Sequence, residues 1–396
     1  MNRGLFGKRR VYLDAAASLP VSPAARRTCS RALRSYGNPS SPHEEGRTAQ
    51  GILEEARAVI ARNLEAKADD IIFTSGATEA NNIAIQGMLL SRRFIEKGSG
   101  KAHALYLPSA HASVVETMHA LTAWGVEAEP LPVRDGRVDT EKLASMLRPE
   151  TVLVSMDVVC GETGTLWNTR EVRKTLDASR APGEARVFLH ADASQAPLVE
   201  SVERTKIAAD LIILDAQKVG GVRGIGVLCA SRTIPLSPII FGGGQERGMR
   251  SGTPFPALAA AFAAALTDAA RGRAAFVARA LAMRSILVDG LEKDIPDLLI
   301  NGGREGAPHI LSLSFPNRDT DYLVALLDEA GYAVSTRSAC ETDAGESRAV
   351  RALYGDSARS AATLRISFCP DTNGRDVLRF RRSLVEMVRF LDRGPS

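Results

Sequence analysis

Seven short apolar, β-branched runs recur along one stretch of this chain, at residues 71–75, 104–108, 126–130, 152–156, 187–190, 211–215 and 225–229, mostly with helix-like segments between them. Strands that are apolar on both faces need cover on both faces, and strands that alternate with helices pair in parallel. The expected fold is therefore α/β, with a large domain on a mostly parallel seven-stranded sheet. Ser22-Pro23 reads as an N-cap and first-turn proline for a helix running to about Tyr36, and residues 46–64 read as a second helix. Residues 256–294 form one long alanine-rich helical pattern, read as the connector to a smaller domain. After it come a strand (310–315), a helix (319–330), a strand (333–335), a polar loop and a strand (364–368), which is an α+β pattern. The expected division is 15–262 for the large domain and 263–396, completed by 1–14, for the small one.

Several function classes drop out on composition. The apolar run at 257–266 is far shorter than the ~18 residues that span a bilayer, so no membrane partner is expected. The first ten residues are basic but lack the apolar core of a signal peptide. Fifty basic residues face 46 acidic ones, a net charge of +4, and they are scattered, so no nucleic-acid partner is expected. Five cysteines (Cys29, Cys160, Cys229, Cys340, Cys369) lie far apart with no metal-ligand spacing. That excludes a disulfide framework and a zinc site, and fits a reducing, cytoplasmic setting.

Ligands of open α/β sheets gather beyond the carboxyl ends of the strands, and the polar signals of this chain fall there. Ile71-Ile72-Phe73 runs into Thr74-Ser75-Gly76-Ala77-Thr78, where a strand ends and a helix begins. Free N–H groups and the helix dipole make such a place an anion cradle, to which Thr78 adds a hydroxyl, although a plain N-cap has the same pattern. Asp192, in His190-Ala191-Asp192-Ala193-Ser194-Gln195, lies just beyond an apolar strand, placed for a ring nitrogen or for a helix cap. His111 follows another strand end and could stack on an aromatic cofactor and move protons, or serve the fold alone. Lys218 follows the apolar run that ends at Asp215 and opens the turn Val219-Gly220-Gly221. Because the lysine precedes these glycines, the segment is not a P-loop. Cys340 sits in a small, polar stretch three residues after Arg337, read either as a nucleophilic loop thiol or as an incidental surface cysteine. A lysine, a strand-end aspartate and an anion cradle suit pyridoxal 5′-phosphate, held as a Schiff base on the lysine with the acid on the pyridinium nitrogen.

Taken together, these segments resemble the cysteine desulfurases of iron–sulfur cluster assembly, in the class V branch of the fold type I pyridoxal-phosphate enzymes. The resemblance runs from Tyr12-Leu13-Asp14-Ala15-Ala16 to Leu364-Arg365-Ile366-Ser367. It includes Gly37-Asn38-Pro39-Ser40-Ser41, Glu162-Thr163-Gly164-Thr165 and the long motif Gly242-Gly243-Gly244-Gln245-Glu246-Arg247-Gly248-Met249-Arg250-Ser251-Gly252-Thr253. It implies conversion of L-cysteine to L-alanine, with the sulfur held as a persulfide on Cys340 for an acceptor or scaffold protein. By the same resemblance Lys218 carries the cofactor, Asp192 meets its ring nitrogen and Gln195 its phenolate oxygen. His111 lies over the ring, and Ala77, Thr78 and Gln217 hold the phosphate. Asn38 and Arg365 meet the substrate carboxylate.

The long motif implies a homodimer in which Thr253 reaches the neighbouring subunit's phosphate, and so polar a loop has little reason to stay ordered on one chain alone. Selenocysteine or a cysteine sulfinate as substrate, or a non-catalytic scaffold derived from a desulfurase, are the alternatives. The chain departs from the family pattern at Cys160-Gly161 (usually two asparagines), at Asp215 (usually serine), at Gln217 (usually histidine) and at Arg337 (usually glycine). A carboxylate at position 215 would repel a phosphate unless it points away.

Overall fold

The computed structural model describes residues 10–91, 102–180, 185–336 and 345–393, so Arg337 and Cys340 lie outside the described residues. The chain forms two compact units. The larger is Pro20–Val159 with Trp167–Gly272; the smaller is Met1–Leu19, Cys160–Leu166 and Arg273–Ser396.

The strands are β1 (Val11–Tyr12), β2 (Ile71–Thr74), β3 (His103–Tyr106), β4 (Glu127–Pro130), β5 (Val133–Arg134), β6 (Arg137–Val138), β7 (Thr151–Asp157), β8 (Phe188–Asp192), β9 (Leu211–Asp215), β10 (Gly226–Ala230), β11 (Leu299–Asn301), β12 (Ile310–Ser314), β13 (Tyr332–Ala333) and β14 (Thr363–Ser367). All seven apolar runs enter one seven-stranded sheet of the larger unit, in the order β2-β10-β9-β8-β7-β3-β4. Within it β10 runs antiparallel to both neighbours, and the other pairings are parallel. β2, β3, β7, β9 and β10 are buried at every residue, as double cover by helices requires.

Local chemistry fixes the helix starts. In α1 (Pro23–Ala32) the Ser22 hydroxyl accepts the Ala25 N–H at 3.1 Å. The helix stops short of Tyr36, which is exposed. α2 (Glu44–Leu64) starts two residues earlier than the sequence pattern indicates, because His43 Nδ1 accepts the Gly46 N–H at 3.2 Å. α3 (Ala77–Leu89) and α4 (Ala112–Thr122) follow β2 and β3. The helix Pro256–Asp294 has the expected bounds.

The smaller unit carries an antiparallel sheet, β11-β12-β14, and a parallel pair, β1-β13. Phe315, Phe368, Phe380 and Leu13 are fully buried there. The turn at 160–166 belongs to this unit. Gly164 adopts a left-handed φ of 73°, and a Cβ on it would lie 2.6 Å from the Ile310 carbonyl oxygen, so only glycine fits.

The motif at 242–253 makes contacts within its own unit. Its Glu246 turns inward with a left-handed φ of 46° and is buried. Both Glu246 oxygens accept from the Arg57 guanidinium at 2.8 Å, and one also accepts the Phe73 N–H at 2.8 Å. Ser251 donates to the Gly243 carbonyl, and Ile240 bridges Arg250, which closes the loop. One buried ion pair thus anchors this polar loop within its own unit. Removing one partner of a buried pair typically costs about 3–5 kcal/mol. Glu246→Ala is therefore expected to lower the urea unfolding midpoint sharply, whereas Arg247→Ala, next to it and half-buried, changes it little.

Candidate active site

Three strands of the larger unit bring the predicted residues to one sheet edge. Gly226, which opens β10, pairs with Thr74 of β2 on one side and Asp215 of β9 on the other. A Cβ on Gly226 would lie 2.6 Å from the Gly76 carbonyl carbon, so glycine lets the start of α3 settle on the strand. Beside β9, β8 ends at Asp192, in register with Ile213. Lys218 closes the single 3-10 turn Ala216–Lys218 after β9 and is half-buried. Gln217 is half-buried in the same turn, as is Gln195 beyond β8. Ala77, Asp192, Asp215 and Lys218 therefore share one edge of one unit.

Asp192 is buried, and its carboxylate is held from two sides. Oδ1 accepts the Ser194 N–H at 2.9 Å, and Oδ2 accepts from Asn81 Nδ2 at 2.8 Å. The same Asn81 nitrogen donates to Ser113 Oγ at 2.9 Å, which in turn lies 2.8 Å from His111 Nδ1. The direction of this chain is fixed at both ends. A carboxylate accepts only, so Asn81 must present its amide nitrogen to Asp192. The Ser113 backbone N–H donates to His111 Nδ1 at 3.1 Å, so Nδ1 is an acceptor and the ring proton sits on Nε2. His111 thus caps α4 through Nδ1, while its proton sits on the other ring nitrogen. Neither Asn81 nor Ser113 stands out in the sequence; their one signal is Asn81's place one helical turn into α3 from Ala77. Below them, burial pushes the His190 imidazole down to about 4, against the pull of Asp192, and its Nδ1 meets Ser155 Oγ at 2.8 Å.

The anion cradle differs from expectation. Asp215 does not point away from it. Its Oδ2 accepts the Ala77 N–H, the first of α3, at 3.0 Å, while Oδ1 accepts the Gln217 N–H at 3.0 Å. Nearby, Arg250 pairs with Glu79 at 2.7 Å, and Glu79 also accepts the Ser75 N–H at 2.9 Å. Burial alone would raise the Glu79 carboxyl, but its bonds to Arg250 and Ser75 hold it below the ordinary carboxylate range. Thr78 and Thr253 are exposed. Asn38 is exposed too, with its Oδ1 accepting the Ser40 N–H at 2.9 Å.

In the smaller unit Arg365 is buried, donating to Asp14 at 2.9 Å and to the Gly161 carbonyl at 3.1 Å. Its Nε has no partner among the described residues. At the departure Cys160-Gly161, the Cys160 sulfur accepts the Thr163 N–H and is buried.

The residues around Asp192 suit a polar heterocycle. Asn81 Oδ1, His190 Nε2 and Ser194 Oγ are buried with no partner among the described residues. Asp192, Lys218 and His111 sit on one unit, and Asp215 occupies the start of α3. Among the described residues no His/Cys/Asp/Glu group could hold a metal, and no helix is long and apolar enough to cross a membrane.

Comparison with known proteins bears on this arrangement. The family model described as aminotransferase class-V matches residues 11–380. The chain is 35% identical over 392 residues, 96% of its length and 92% of the relative's, to the cysteine desulfurase IscS of Neisseria gonorrhoeae. Among solved structures, a NifS-like protein superposes with a TM-score of 0.88 at 29% identity, covering 96% of this chain and 100% of that one. SspA in complex with cysteine superposes with a TM-score of 0.75 at 26% identity, covering 91% of this chain and 99% of that one.

Proposed function

Because the chain belongs to the class-V aminotransferase family, among its cysteine desulfurases, we propose that it is a pyridoxal-phosphate enzyme that converts L-cysteine to L-alanine and passes the sulfur to an acceptor protein in iron–sulfur cluster assembly. The observation that carries the reading is the meeting of Lys218, Asp192 and the Asn81–Ser113–His111 chain at one sheet edge. When bound, the cofactor is an electron sink for the charge that develops at the substrate Cα. Lys218 holds the cofactor and then moves a proton at that carbon. Asp192, kept in place by Asn81 and the Ser194 N–H, keeps the ring nitrogen protonated. His111 offers the proton on its Nε2, because its Nδ1 is spent on α4.

Arg365 and Asn38 are assigned to the substrate carboxylate, with Asp14 and the Gly161 carbonyl orienting the guanidinium. Cys340 takes the sulfur: the substrate C–S bond breaks, an S–S bond forms on the Cys340 thiolate, and the carbon gains the electron pair and a proton. L-cysteine plus enzyme thiol thus gives L-alanine plus enzyme persulfide. The homodimer, with Thr253 on the partner's cofactor phosphate, and a cytoplasmic setting complete the proposal. Purified protein supplied with cofactor is expected to absorb near the visible edge and to release alanine from L-cysteine in step with persulfide. Cofactor binding with no alanine would favour a different substrate; no absorbance at all would favour the scaffold.

A further inference from the structure

We propose that Asp215 is the resident anion of the α3 cradle, and that it makes this chain discriminate unusually weakly between pyridoxal 5′-phosphate and phosphate-free pyridoxal. The inference rests on the cofactor reading above. Asp215 is buried, with 7% of its surface exposed, at the end of β9. Gly226, lying between β9 and β2, has no side chain to separate the Asp215 carboxylate from the start of α3. The carboxylate therefore spans two elements, capping the Ala216–Lys218 turn with one oxygen and α3 with the other. A Cβ on Gly76 would already lie 3.5 Å from Oδ2, so the carboxylate fills the space over the first residues of the helix.

The N-terminus of a helix attracts one anion because its leading N–H groups and dipole are unsatisfied. Here a carboxylate of the same chain supplies that anion. The Ser75 N–H, next to the cradle, is taken by Glu79, and Glu79 in turn pairs with Arg250. An incoming phosphate meets two carboxylates where it needs donors. It must either displace Asp215 from Ala77 or sit beside it, and like charges in a partly desolvated site repel at close range. The ring end relies on other side chains, Asp192, Lys218 and His111, although Asp215 caps the turn that Lys218 closes. Binding should therefore come mainly from the ring, and the phosphate should add little.

The test titrates cofactor-stripped full-length protein with pyridoxal 5′-phosphate and, separately, with pyridoxal, following absorbance. For wild type the two affinities are expected within about ten-fold of each other. Asp215→Ser keeps a capping oxygen and removes the charge; it should tighten pyridoxal 5′-phosphate about ten-fold or more and leave pyridoxal unchanged. Asp215→Asn, which keeps the shape and an accepting oxygen for one of the two N–H groups, should do the same, and guards against a serine variant that folds poorly. If both variants keep the wild-type ratio of the two affinities, Asp215 is not the anion that sets it and the inference is overturned. If only the phosphate form binds wild type, and tightly, the inference is overturned as well. Should neither form bind wild type or either variant, the cofactor reading itself falls, and this inference with it.

Discussion

Lys218→Ala is expected to remove the borohydride-fixable bond between protein and cofactor completely, and to lower alanine formation from L-cysteine by about 10³-fold or more. Both effects follow from one amine, which anchors the cofactor and then works at the substrate Cα. The fold should survive, because Lys218 is half-buried at the end of a short turn whose cap, Asp215, is untouched. Peptide mapping after borohydride reduction of wild type should place the label on Lys218, and a label on any other lysine would sink the assignment. The same variant tests the dimer. If Thr253 serves the partner's phosphate, Lys218→Ala and Thr253→Ala subunits mixed into heterodimers rebuild one intact site in two. Activity should then return toward about half of wild type. Verified heterodimers that stay inactive would favour a pocket completed within one chain.

Where the sequence reading worked, the signal was local. The apolar runs at 71–75 and 211–215 predicted buried strands because side-chain periodicity and β-branching report on the strand itself. Strand ends slipped by a residue or two: Asp192, read as lying just past β8, is its last paired residue. What the sequence concealed was contact across distance. The Arg57–Glu246 pair joins residues 189 apart, Asn81–Asp192 joins residues 111 apart, and Ala77–Asp215 joins residues 138 apart. No periodicity records such partners. Asp215 shows the limit most clearly: its substitution for serine was legible, but a carboxylate at a strand end reads alike whether it faces into the cradle or away from it. The Ala77 N–H on its Oδ2 shows that it faces in. The tautomer of His111 was hidden in the same way, being set by the N-cap of α4.

Cys340→Ser is expected to abolish persulfide and to lower alanine release by about 10²-fold or more, while cofactor binding stays at the wild-type level. Sulfur transfer needs a thiolate that the substrate sulfur can reach. Burial pushes the Cys229 thiol up to about 12, and burial raises Cys29 as well. Cys160 and Cys369 are buried and hydrogen-bonded within the smaller unit, Cys160 to the Thr163 N–H and Cys369 to the Thr372 hydroxyl. Three of these four are buried, and Cys29 is half-buried with its thiol raised. Cys340, in a polar stretch that carries Arg337, is the thiol proposed for the work from its place in the family motif. Serine at this position cannot form an S–S bond, so the substrate sulfur has no acceptor, even though Lys218, Asp192 and His111 remain intact. Mass spectrometry of the protein after incubation with L-cysteine should show one added sulfur atom in wild type, mapped to the Cys340 peptide, and none in the variant. Cys160→Ser, as the matched control, should keep the persulfide and lose only stability. If Cys340→Ser turned over L-cysteine at the wild-type rate while Cys160→Ser did not, the sulfur would have to travel by Cys160, and the turn at 160–166 would have to open to expose it.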